Sequence, residues 1–317
     1  MLPASKIAAI PTANGDIQGS VLYRLNKRRT TVRGLRSMIG VGMCLAIFMS
    51  TVRSKQSSSL QKGEELTHFH WPDGKEAAVS LSFDDARVSQ IDHGLALFKK
   101  AGVKVTFFVL PDGVEKRLAG WKQAVADGHE IGNHSLTHPC TGNYAFSLRN
   151  ALEDYDLARM AQQLDGANEE IYRQLDVKPR TFAYPCGQKF VGRGLDVKSY
   201  VPLVADRFLA GRGYLDESAN DPRICDLAQA MGTSFDDLDF SQMKKIVDDA
   251  IEQGRWVIFV GHEIGERGYQ VTDTKALEAL CEYLKNPATG VWLGTVQEIA
   301  AHIRTQRENT NPSATKK

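Results

Sequence analysis

Acidic and imidazole side chains occur in this chain at spacings that suit metal-assisted hydrolysis. Asp84 and Asp85 directly follow the apolar segment 77–83, and His134 and His138 lie in the sequence His-Ser-Leu-Thr-His. Two imidazoles four residues apart can lie on one side of a helical turn and present nitrogens to one ion. A carboxylate from Asp84 or Asp85 would complete a two-histidine, one-carboxylate site with open positions for water and substrate.

Each of these signals also has an ordinary structural explanation. Two adjacent aspartates can cap the helix that follows them, and a histidine pair at this spacing is often a surface coincidence. We favour the metal site because the aspartates end a strand-like segment. The carboxyl ends of parallel strands are where α/β folds place their ligands.

A third histidine follows the apolar segment 256–260, in the sequence Val260-Gly-His262. Imidazole titrates near neutral pH, so His262 beside a metal could protonate a leaving group. A purely structural histidine is the alternative.

The elements that must position these groups alternate along the chain from about residue 66. Short apolar segments and amphipathic segments follow one another, which is typical of a parallel sheet with crossover helices. Strands are predicted at 77–83, 103–109, 129–131, 181–184, 208–210, 256–260 and 291–293. Helices are predicted around 91–98 with a stop at Gly102, at 157–175, at 242–253 with Ser241 as its cap, after Thr274, and after the capping box Thr295/Glu298. Residues 211–239 are predicted to form a long polar connecting segment.

Composition excludes some classes of partner. The chain has 317 residues, 42% hydrophobic and 24% charged, which is enough for one large domain with extensions. Thirty-nine basic and 38 acidic residues leave a formal charge of +1, so nothing favours a nucleic-acid partner. No repeat of fixed period is visible, and a solenoid or propeller is therefore disfavoured.

Residues 1–65 are predicted to be separate from a domain spanning 66–305. Basic residues flank the charge-free segment 37–52, which spans about 24 Å as a helix and is shorter than the roughly 30 Å hydrocarbon core. It is a candidate signal peptide or weak anchor, followed by a polar linker, and would place the domain outside the cytoplasm, secreted or anchored. The alternative is that the segment is a buried helix packed on the domain. If the segment is not a signal, the protein would be cytoplasmic. Residues 306–317 are expected to be a disordered tail.

Taken in order, these motifs resemble those of NodB-type polysaccharide deacetylases, also called carbohydrate esterase family 4. The resemblance covers roughly residues 77–303. It rests on Ser82-Phe-Asp-Asp85, His134-Ser-Leu-Thr-His138, Arg180-Thr-Phe-Ala-Tyr-Pro-Cys-Gly187 and Val260-Gly-His262, of which the two-histidine motif is the most specific. It implies an α/β fold of the irregular (β/α) barrel type and a hydrolase that removes N- or O-acetyl groups from a carbohydrate.

The resemblance also implies a role for each motif residue. Asp84 would be the general base, His262 the general acid, and Asp85, His134 and His138 the ligands of a divalent metal. The metal would polarise the acetyl carbonyl and activate a water, and the backbone N–H of Cys186 would bind the oxyanion. Tyr184, Pro185 and Tyr144 are the candidate substrate contacts.

Two supporting residues of the family's pattern are missing from their usual places. Many members carry an arginine that pairs with the catalytic aspartate where this chain has Ala183, and Arg212 is the candidate replacement. An exposed loop arginine is the alternative. The aspartate that orients the acid histidine is not recognisable, and Asp221 or Asp226 are candidates for it.

The five cysteines have no zinc-knuckle spacing, and the four beyond the N-terminal segment allow one or two disulfides in an oxidising compartment. Cys140 follows the two-histidine motif, and Cys186 stands where the family usually has an aromatic residue. Both loops should border one site, so the resemblance predicts a Cys140–Cys186 disulfide, with Cα atoms within about 7 Å.

Zinc is the default metal because nitrogen and oxygen ligands with an open position suit it, although cobalt, nickel or manganese would fit the same residues. The expected partner is an acetylated carbohydrate, and membrane contact is expected only through the N-terminal segment. The sequence gives no indication of the oligomeric state. A catalytically inactive carbohydrate-binding barrel and a metal-dependent hydrolase of a non-sugar amide remain open.

Overall fold

The computed structural model describes residues 69–310. The expected N-terminal segment 1–65, with its hydrophobic stretch, lies outside the described residues. Among the described residues, none of the helices has the length and apolar character needed to cross a membrane. The last helix runs to Thr310, so the expectation of a disordered tail was wrong for 306–310, and the rest of that tail is not described.

Twelve strands form one large sheet and two short ribbons within the described part of the chain. They are β1 (Ala77–Asp84), β2 (Thr106–Val109), β3 (Glu130–Asn133), β4 (Thr181–Ala183), β5 (Phe190–Val191), β6 (Lys198–Ser199), β7 (Ala210–Arg212), β8 (Thr233–Ser234), β9 (Trp256–Gly261), β10 (Glu263–Gly265), β11 (Val271–Asp273) and β12 (Val291–Leu293). The large sheet has the order β7-β4-β3-β2-β1-β9-β8, with β12 also paired to β1, and every pairing in it is parallel.

Eight α-helices connect and cover these strands within residues 69–310. They are α1 (Leu95–Ala101), α2 (Pro111–Glu115), α3 (Leu118–Ala126), α4 (Leu157–Leu175), α5 (Val201–Arg207), α6 (Phe240–Gln253), α7 (Thr274–Lys285) and α8 (Val296–Thr310). A π-helical turn, Gln90–Gly94, precedes α1, where the sequence predicted one continuous helix.

The helix ends follow local capping chemistry. Gly102 ends α1 in a left-handed conformation, as predicted. Thr295 and Glu298 exchange side-chain to backbone hydrogen bonds, so the predicted capping box is confirmed. The predicted cap of α6 was wrong: Asp239, not Ser241, accepts from the backbone of Gln242, because a carboxylate two residues earlier reaches the free N–H groups.

Strand β1 is the centre of the sheet. All eight of its residues are buried, as its apolar sequence predicted. Its first half pairs with β12, its second half with β2, and most of its length with β9. The residue that ends β1 therefore meets the ends of two neighbouring strands.

The pleat sorts β1 into an inner and an outer face. Val79, Leu81 and Phe83 pack in the larger core cluster with the covering helices. Ala78 packs in a second cluster with Phe108, Trp256 and residues of α8, inside the curled sheet. Small inward residues keep this interior narrow, and the next inward position at the carboxyl end is Asp84.

The sheet curls into an incomplete barrel. Strand β7, at one edge, is linked to the segment before β8, at the other edge, by the isolated bridge between Arg212 and Ala230. The backbone N–H groups of Ala230 and Gly213 complete two hydrogen bonds across that junction. The irregular (β/α) barrel expected from the sequence is confirmed. The strand predicted at 208–210 was placed two residues too early, and the strand predicted at 103–109 begins three residues later than predicted.

Candidate functional site

Three side chains predicted to hold a metal converge at the carboxyl end of β1. Oδ1 of Asp85 lies 3.4 Å from Nε2 of His134 and 3.5 Å from Nε2 of His138. One potential ligand atom from each residue falls within a group no wider than 4.8 Å. This matches the two-histidine, one-carboxylate set, and Asp85 rather than Asp84 supplies its carboxylate.

The polar environment of these atoms fits a divalent cation. Arg87 donates from Nε and Nη2 to Oδ2 of Asp85, at 3.0 and 2.9 Å. Oδ1 of Asp85 is buried and has no hydrogen-bond partner among the described residues. A buried, unpaired carboxylate oxygen facing two imidazole nitrogens is costly unless a cation is shared between them.

Electrostatics keep Asp85 and His138 in the forms that bind metals. Burial raises the pKa of the Asp85 carboxyl, but interactions with His134, His138 and His262 lower it more, so the pKa lies well below its usual value. Burial lowers the pKa of His138 to about 4, and the neighbouring His134 adds to the lowering. Asp85 is therefore ionised and His138 neutral near pH 7, which are the states that bind metals.

The loop that carries the two histidines is not the helical turn that the spacing suggested. Ser135 and His138 both have positive φ, 69° and 53°. Asn133 accepts from the backbone N–H of Ser135 at 2.6 Å, and Oγ of Ser135 accepts from the N–H of His138 at 3.0 Å. These side-chain bonds to the backbone fold the loop and bring both rings to one side, since the ring centroids lie 4.9 Å apart.

A hydrogen bond fixes the orientation of His134. Its Nδ1 lies 2.9 Å from the carbonyl oxygen of Ala183. The carbonyl is an acceptor, so Nδ1 carries the proton and Nε2 keeps its lone pair towards Asp85. A backbone partner of this kind is the usual support of a metal-binding histidine.

Arg212 pairs with Asp84, as the sequence predicted. Nη2 of Arg212 donates to Oδ1 of Asp84, both side chains are buried, and the guanidinium lies over the ring of Phe108. The sheet register pairs Arg212 with Ala183, so the arginine comes from the strand next to the expected position. The alternative of an exposed loop arginine was wrong.

The two carboxylate oxygens of Asp84 face different groups. Oδ1 is bound by Arg212, and Oδ2 lies 3.8 Å from Nε2 of His134. A carboxylate held by an arginine on one side and facing a metal site on the other is positioned to accept a proton there.

His262 lies beside Asp84 because the paired register of β1 and β9 runs to Phe83 and Gly261. Its Nδ1 donates to Oδ2 of Asp236 at 2.6 Å, and its backbone N–H reaches Oδ1 of the same carboxylate at 3.2 Å. Thr272 also donates to Oδ1, at 2.8 Å. The carboxylate fixes the tautomer and leaves Nε2 for the cleft.

The aspartate that orients His262 was assigned wrongly from the sequence. Asp221 binds the guanidinium and the backbone N–H of Arg223, and Asp226 caps a short 3-10 turn. Strand β8 is paired with β9 at Ser234 and Val260, which carries Asp236 to the level of His262 two residues later.

A signal for Asp236 was present in the sequence. The chain contains Ser-Phe-Asp-Asp twice, at 82–85 and at 234–237. Each copy lies at the end of a strand that flanks β9. The first aspartate of each copy enters the site, as Asp84 and as Asp236.

Gln90 was also missed. Its Nε2 donates to the carbonyl oxygen of Asp84 at 2.6 Å and to that of His262 at 2.8 Å, and the side chain is fully buried. One amide thus links the ends of β1 and β9. It lies at the start of the π-helical turn, one residue before the segment 91–98 from which a helix was predicted.

The predicted disulfide is confirmed. Cys140 and Cys186 are bonded, with Cα atoms 6.2 Å apart. Their sulfur atoms lie close to His138 as well, but they are bonded to each other. The bond joins the histidine loop to the loop after β4, where Cys186 has a φ of 53°.

The predicted metal ligands, the aspartate and histidine candidates for proton transfer and Cys186 border one cleft of about 940 Å³. Its lining includes Asp84, Asp85, His134, His138, Cys186 and His262, together with Tyr144 and Phe146 on one rim and Tyr214, Leu215 and Tyr269 on another. Tyr144 therefore lies where the sequence predicted a substrate contact.

Tyr184 and Pro185 do not line this cleft, and their assignment as substrate contacts was wrong. Tyr184 points to the same side of the pleat as Phe182 and packs against Tyr200. Its hydroxyl donates to the carbonyl oxygen of Ala228 at 2.6 Å, and Pro185 is buried beside it. Alternation along β4 sends Ala183 inwards and its neighbours outwards.

The site and fold define a class of protein: a parallel-stranded incomplete barrel with acidic and imidazole groups at its strand ends. Comparison with known proteins agrees. Residues 72–193 match the family model of polysaccharide deacetylases. Over these residues the chain is similar to the polysaccharide deacetylase family.

The matches to individual curated proteins are shorter than the match to the family model. The chain is 37% identical over 93 residues to YlxY of Bacillus subtilis (strain 168), which is 29% of this chain and 26% of that protein. It is 39% identical over 62 residues to the peptidoglycan-N-acetylglucosamine deacetylase PgdA of Listeria monocytogenes, 19% of this chain and 13% of that protein. The chain thus matches about a quarter or less of these curated relatives.

A crystal structure from Mycobacterium smegmatis, described as a polysaccharide deacetylase, shares the fold. Its TM-score is 0.54 at 16% identity, over 75% of this chain and 94% of that one. The matched family range ends at residue 193, so Arg212, Asp236 and His262 lie outside it.

Proposed function

We propose that the protein is a metal-dependent hydrolase that removes acetyl groups from a carbohydrate, with zinc as the preferred ion. The observation that carries the proposal is the unpaired, buried Oδ1 of Asp85, which faces both histidine nitrogens beside a carboxylate and a third histidine. Asp85, His134 and His138 would hold the ion. When bound, it would polarise the acetyl carbonyl and make the attacking water more acidic.

Asp84 is proposed as the general base. As the water oxygen attacks the acetyl carbon, its proton passes to Oδ2 of Asp84, while Oδ1 stays bound to Arg212. The arginine prevents the carboxylate from rotating away and balances its buried charge. Asp85 is unsuited to this role because Arg87 occupies its Oδ2 and the proposed ion would occupy its Oδ1.

His262 is proposed as the general acid. Burial lowers its pKa, but the hydrogen bond to Asp236 and the charges of Asp84, Asp236 and Asp85 raise it more, so the pKa lies above its ordinary value. This shift favours the imidazolium form of His262. Its Nε2 proton passes to the leaving nitrogen or oxygen as the bond to the acetyl carbon breaks, which yields acetate and the free amine or alcohol.

Cys186 is proposed to donate its backbone N–H to the oxyanion that forms during attack. It lines the cleft at the turn after β4, and the disulfide to Cys140 holds that turn against the histidine loop. A fixed backbone donor costs no reorganisation when negative charge develops.

We also propose that the domain works outside the cytoplasm. A disulfide at the site supports an oxidising compartment. This location is tested in cells that express the full chain. The cells are fractionated, and intact cells are treated with protease to measure protection of the domain.

Acetate release tests the function. The full chain is incubated with acetylated glycans, including chitin oligomers, peptidoglycan and acetylated xylan, with chelator, and then with zinc restored. Release that is lost with chelator and regained with zinc supports the proposal. Release only from small non-sugar amides would assign the other hydrolase reaction, and no release from any compound despite bound zinc would leave a carbohydrate-binding barrel. Asp84→Asn, which keeps the volume and removes the base, serves as the inactive control.

A further inference from the structure

The two ring nitrogens of His138 face two different groups. Nε2 lies 3.5 Å from Oδ1 of Asp85, in the proposed metal site. Nδ1 lies 3.7 Å from Sγ of Cys140, which is bonded to Cys186. In His134, by contrast, the second nitrogen is held by a backbone carbonyl. Sulfur is a weak hydrogen-bond acceptor, so the Nδ1 side of His138 has no strong partner among the described residues.

This nitrogen and the two sulfur atoms have the spacing of a ligand group. One ring nitrogen of His138 and the sulfurs of Cys140 and Cys186 lie within 4.8 Å of one another. Tetrahedral zinc binds imidazole nitrogen at about 2.0 Å and thiolate sulfur at about 2.3 Å, which puts neighbouring ligand atoms roughly 3.6–3.8 Å apart. The 3.7 Å between Nδ1 and Sγ of Cys140 matches that separation. The sulfurs become metal ligands only as thiolates, after the disulfide is reduced.

The two cysteines stay close to each other without the disulfide. The backbone N–H of Thr141, directly after Cys140, donates to Oε1 of Gln188 at 2.7 Å, and Gln188 follows the turn that carries Cys186. Oγ of Ser147 also bonds to both the N–H and the carbonyl of Cys140, at 2.9 and 2.8 Å. These bonds are independent of the disulfide. Reduction therefore loosens the two loops but keeps both sulfurs beside His138.

The cleft gives a reductant access to the bond. Cys186 is half-buried and lines the cleft, whereas Cys140 is fully buried. A thiolate of a small dithiol attacks Sγ of Cys186, and the sulfur of Cys140 leaves. The second thiol of the dithiol then displaces Cys186, so that two electrons and two protons yield two cysteine thiols and an oxidised dithiol. Each thiol loses its proton to solvent as its sulfur binds a divalent ion.

We propose that the reduced pair Cys140 and Cys186 forms, with Nδ1 of His138, a second metal site that excludes the first. A neutral imidazole has one lone pair for a metal. When Nδ1 binds an ion, Nε2 carries the proton and can only donate towards Asp85, so the first site loses a ligand. The oxidised chain holds its ion at Asp85, and the reduced chain holds it at the sulfurs. This inference concerns metal binding and does not rest on acetyl removal.

Cobalt binding to the full chain tests the second site without any glycan. Co²⁺ bound by thiolates has an intense near-ultraviolet charge-transfer absorption, which Co²⁺ bound by nitrogen and oxygen lacks. One sample is reduced with a dithiol and freed of it by gel filtration without oxygen. It is then titrated with Co²⁺ beside an oxidised sample. We expect the absorption in the reduced sample only, with saturation at one ion per chain.

Variants locate the ligands. Cys140→Ser/Cys186→Ser should abolish the absorption, and His138→Gln should lower the Co²⁺ affinity of the reduced chain at least about tenfold. Asp85→Asn, which removes the carboxylate of the first site, should keep the absorption. Cys225→Ser, which removes a free thiol, is the matched control and should keep it as well.

A measurement on the unaltered chain covers the case in which a variant fails to fold. Co²⁺ should slow the alkylation of Cys140 and Cys186 in the reduced chain, followed by peptide mass spectrometry, and should leave that of Cys225 unchanged. Alkylation of the pair that Co²⁺ does not slow overturns the inference. The same holds for a reduced chain without the absorption, for absorption that survives in the folded double cysteine variant, and for a second ion bound per chain.

The outcomes separate this inference from the proposed function. Acetate release by the oxidised chain, without thiolate absorption after reduction, keeps the function and removes the second site. Thiolate absorption that depends on Cys140 and Cys186, without acetate release from any glycan by the oxidised chain with zinc, keeps the second site and removes the function.

Discussion

Arg212 reaches Asp84 from a strand that is not paired with β1. The register places Arg212 directly beside Ala183 on β4, and residues paired in register point to the same side of the sheet. The guanidinium that the family pattern places at residue 183 is thus supplied one strand further along the barrel. A missing motif residue has been replaced by a spatial neighbour.

Removal of this arginine should damage both folding and activity. Arg212→Ala leaves the Asp84 carboxylate buried without its counter-charge, which typically costs about 3–5 kcal/mol of unfolding free energy. Urea unfolding and acetate release measure the two effects. The double variant Arg212→Ala/Ala183→Arg should recover part of both, because the new guanidinium starts from the neighbouring strand.

Arg173→Ala is the control for that experiment, since Arg173 pairs with Glu170 on the surface. It should change neither measurement appreciably. Activity that persists in Arg212→Ala would contradict the assignment of Asp84 as a base held by Arg212.

The pH profile should report on His262. The acid is active when protonated, so activity is retained below its pKa and lost as the pH rises through it. Since Asp236 contributes to the raised pKa, Asp236→Asn should move the alkaline limb of kcat/KM to lower pH by about 1 to 2 units. The pH dependence of acetate release from the best substrate of the panel measures this shift.

Asp237→Asn is the matched control, because Asp237 is the adjacent residue and is exposed. Its profile should overlie that of the unaltered protein. An alkaline limb that stays in place in Asp236→Asn would show that another group sets it.

Arg87 should matter for metal affinity. It holds Oδ2 of Asp85 and also lies 3.6 Å from Glu263, so it keeps Oδ1 turned towards the histidines. Loss of such a support typically lowers metal affinity about 10- to 100-fold. Competition with a chromophoric zinc chelator should show this loss in Arg87→Ala and a smaller loss in Arg87→Lys, which keeps the charge without the paired donors.

Arg117→Ala removes an arginine that binds Asp92 on the surface and should leave zinc affinity as it was. Equal affinity in Arg87→Ala and the unaltered protein would exclude a positioning role for Arg87.

Loss of the disulfide should lower stability and activity together. The bond closes a loop with a sequence separation of 46 residues, and removal of such a link costs about 2–4 kcal/mol. Cys140→Ser/Cys186→Ser should also release acetate more slowly, because the turn with the proposed oxyanion donor is no longer fixed to the histidine loop. Cys225→Ser, which removes a free thiol, is the control. Turnover unchanged in the double variant at a temperature where it is folded would separate the bond from catalysis.

The strands that form the barrel centre could be predicted because burial on both faces leaves an unbroken apolar sequence. This holds for β1 and β9, whose apolar segments place Asp84 and His262 at strand ends from the sequence alone. The short strand β8 could not be predicted, since Thr233–Ser234 has two residues and no apolar character of its own. Asp236 was missed for the same reason, because its position depends on that strand.

Side-chain direction explains the other differences. Tyr184 follows β4 in a proline-containing motif and reads as a loop residue, yet it continues the pleat of β4 and points outwards into the packed helices. Phe146 was not selected because an exposed aromatic residue in a loop has no periodic signal. The position of Phe146 at the cleft is visible only in the folded loop, where the rings of Tyr144 and His138 lie beside it.

The two hydrogen bonds of Gln90 fix the strand ends that carry Asp84 and His262. A single amide is bonded to the carbonyls of Asp84 and His262, at the ends of two paired strands, so the two strand ends cannot separate or slide without breaking it. In the proposed reaction these strand ends carry the proton acceptor and the proton donor. The amide therefore fixes the separation of their backbones before any substrate enters the cleft.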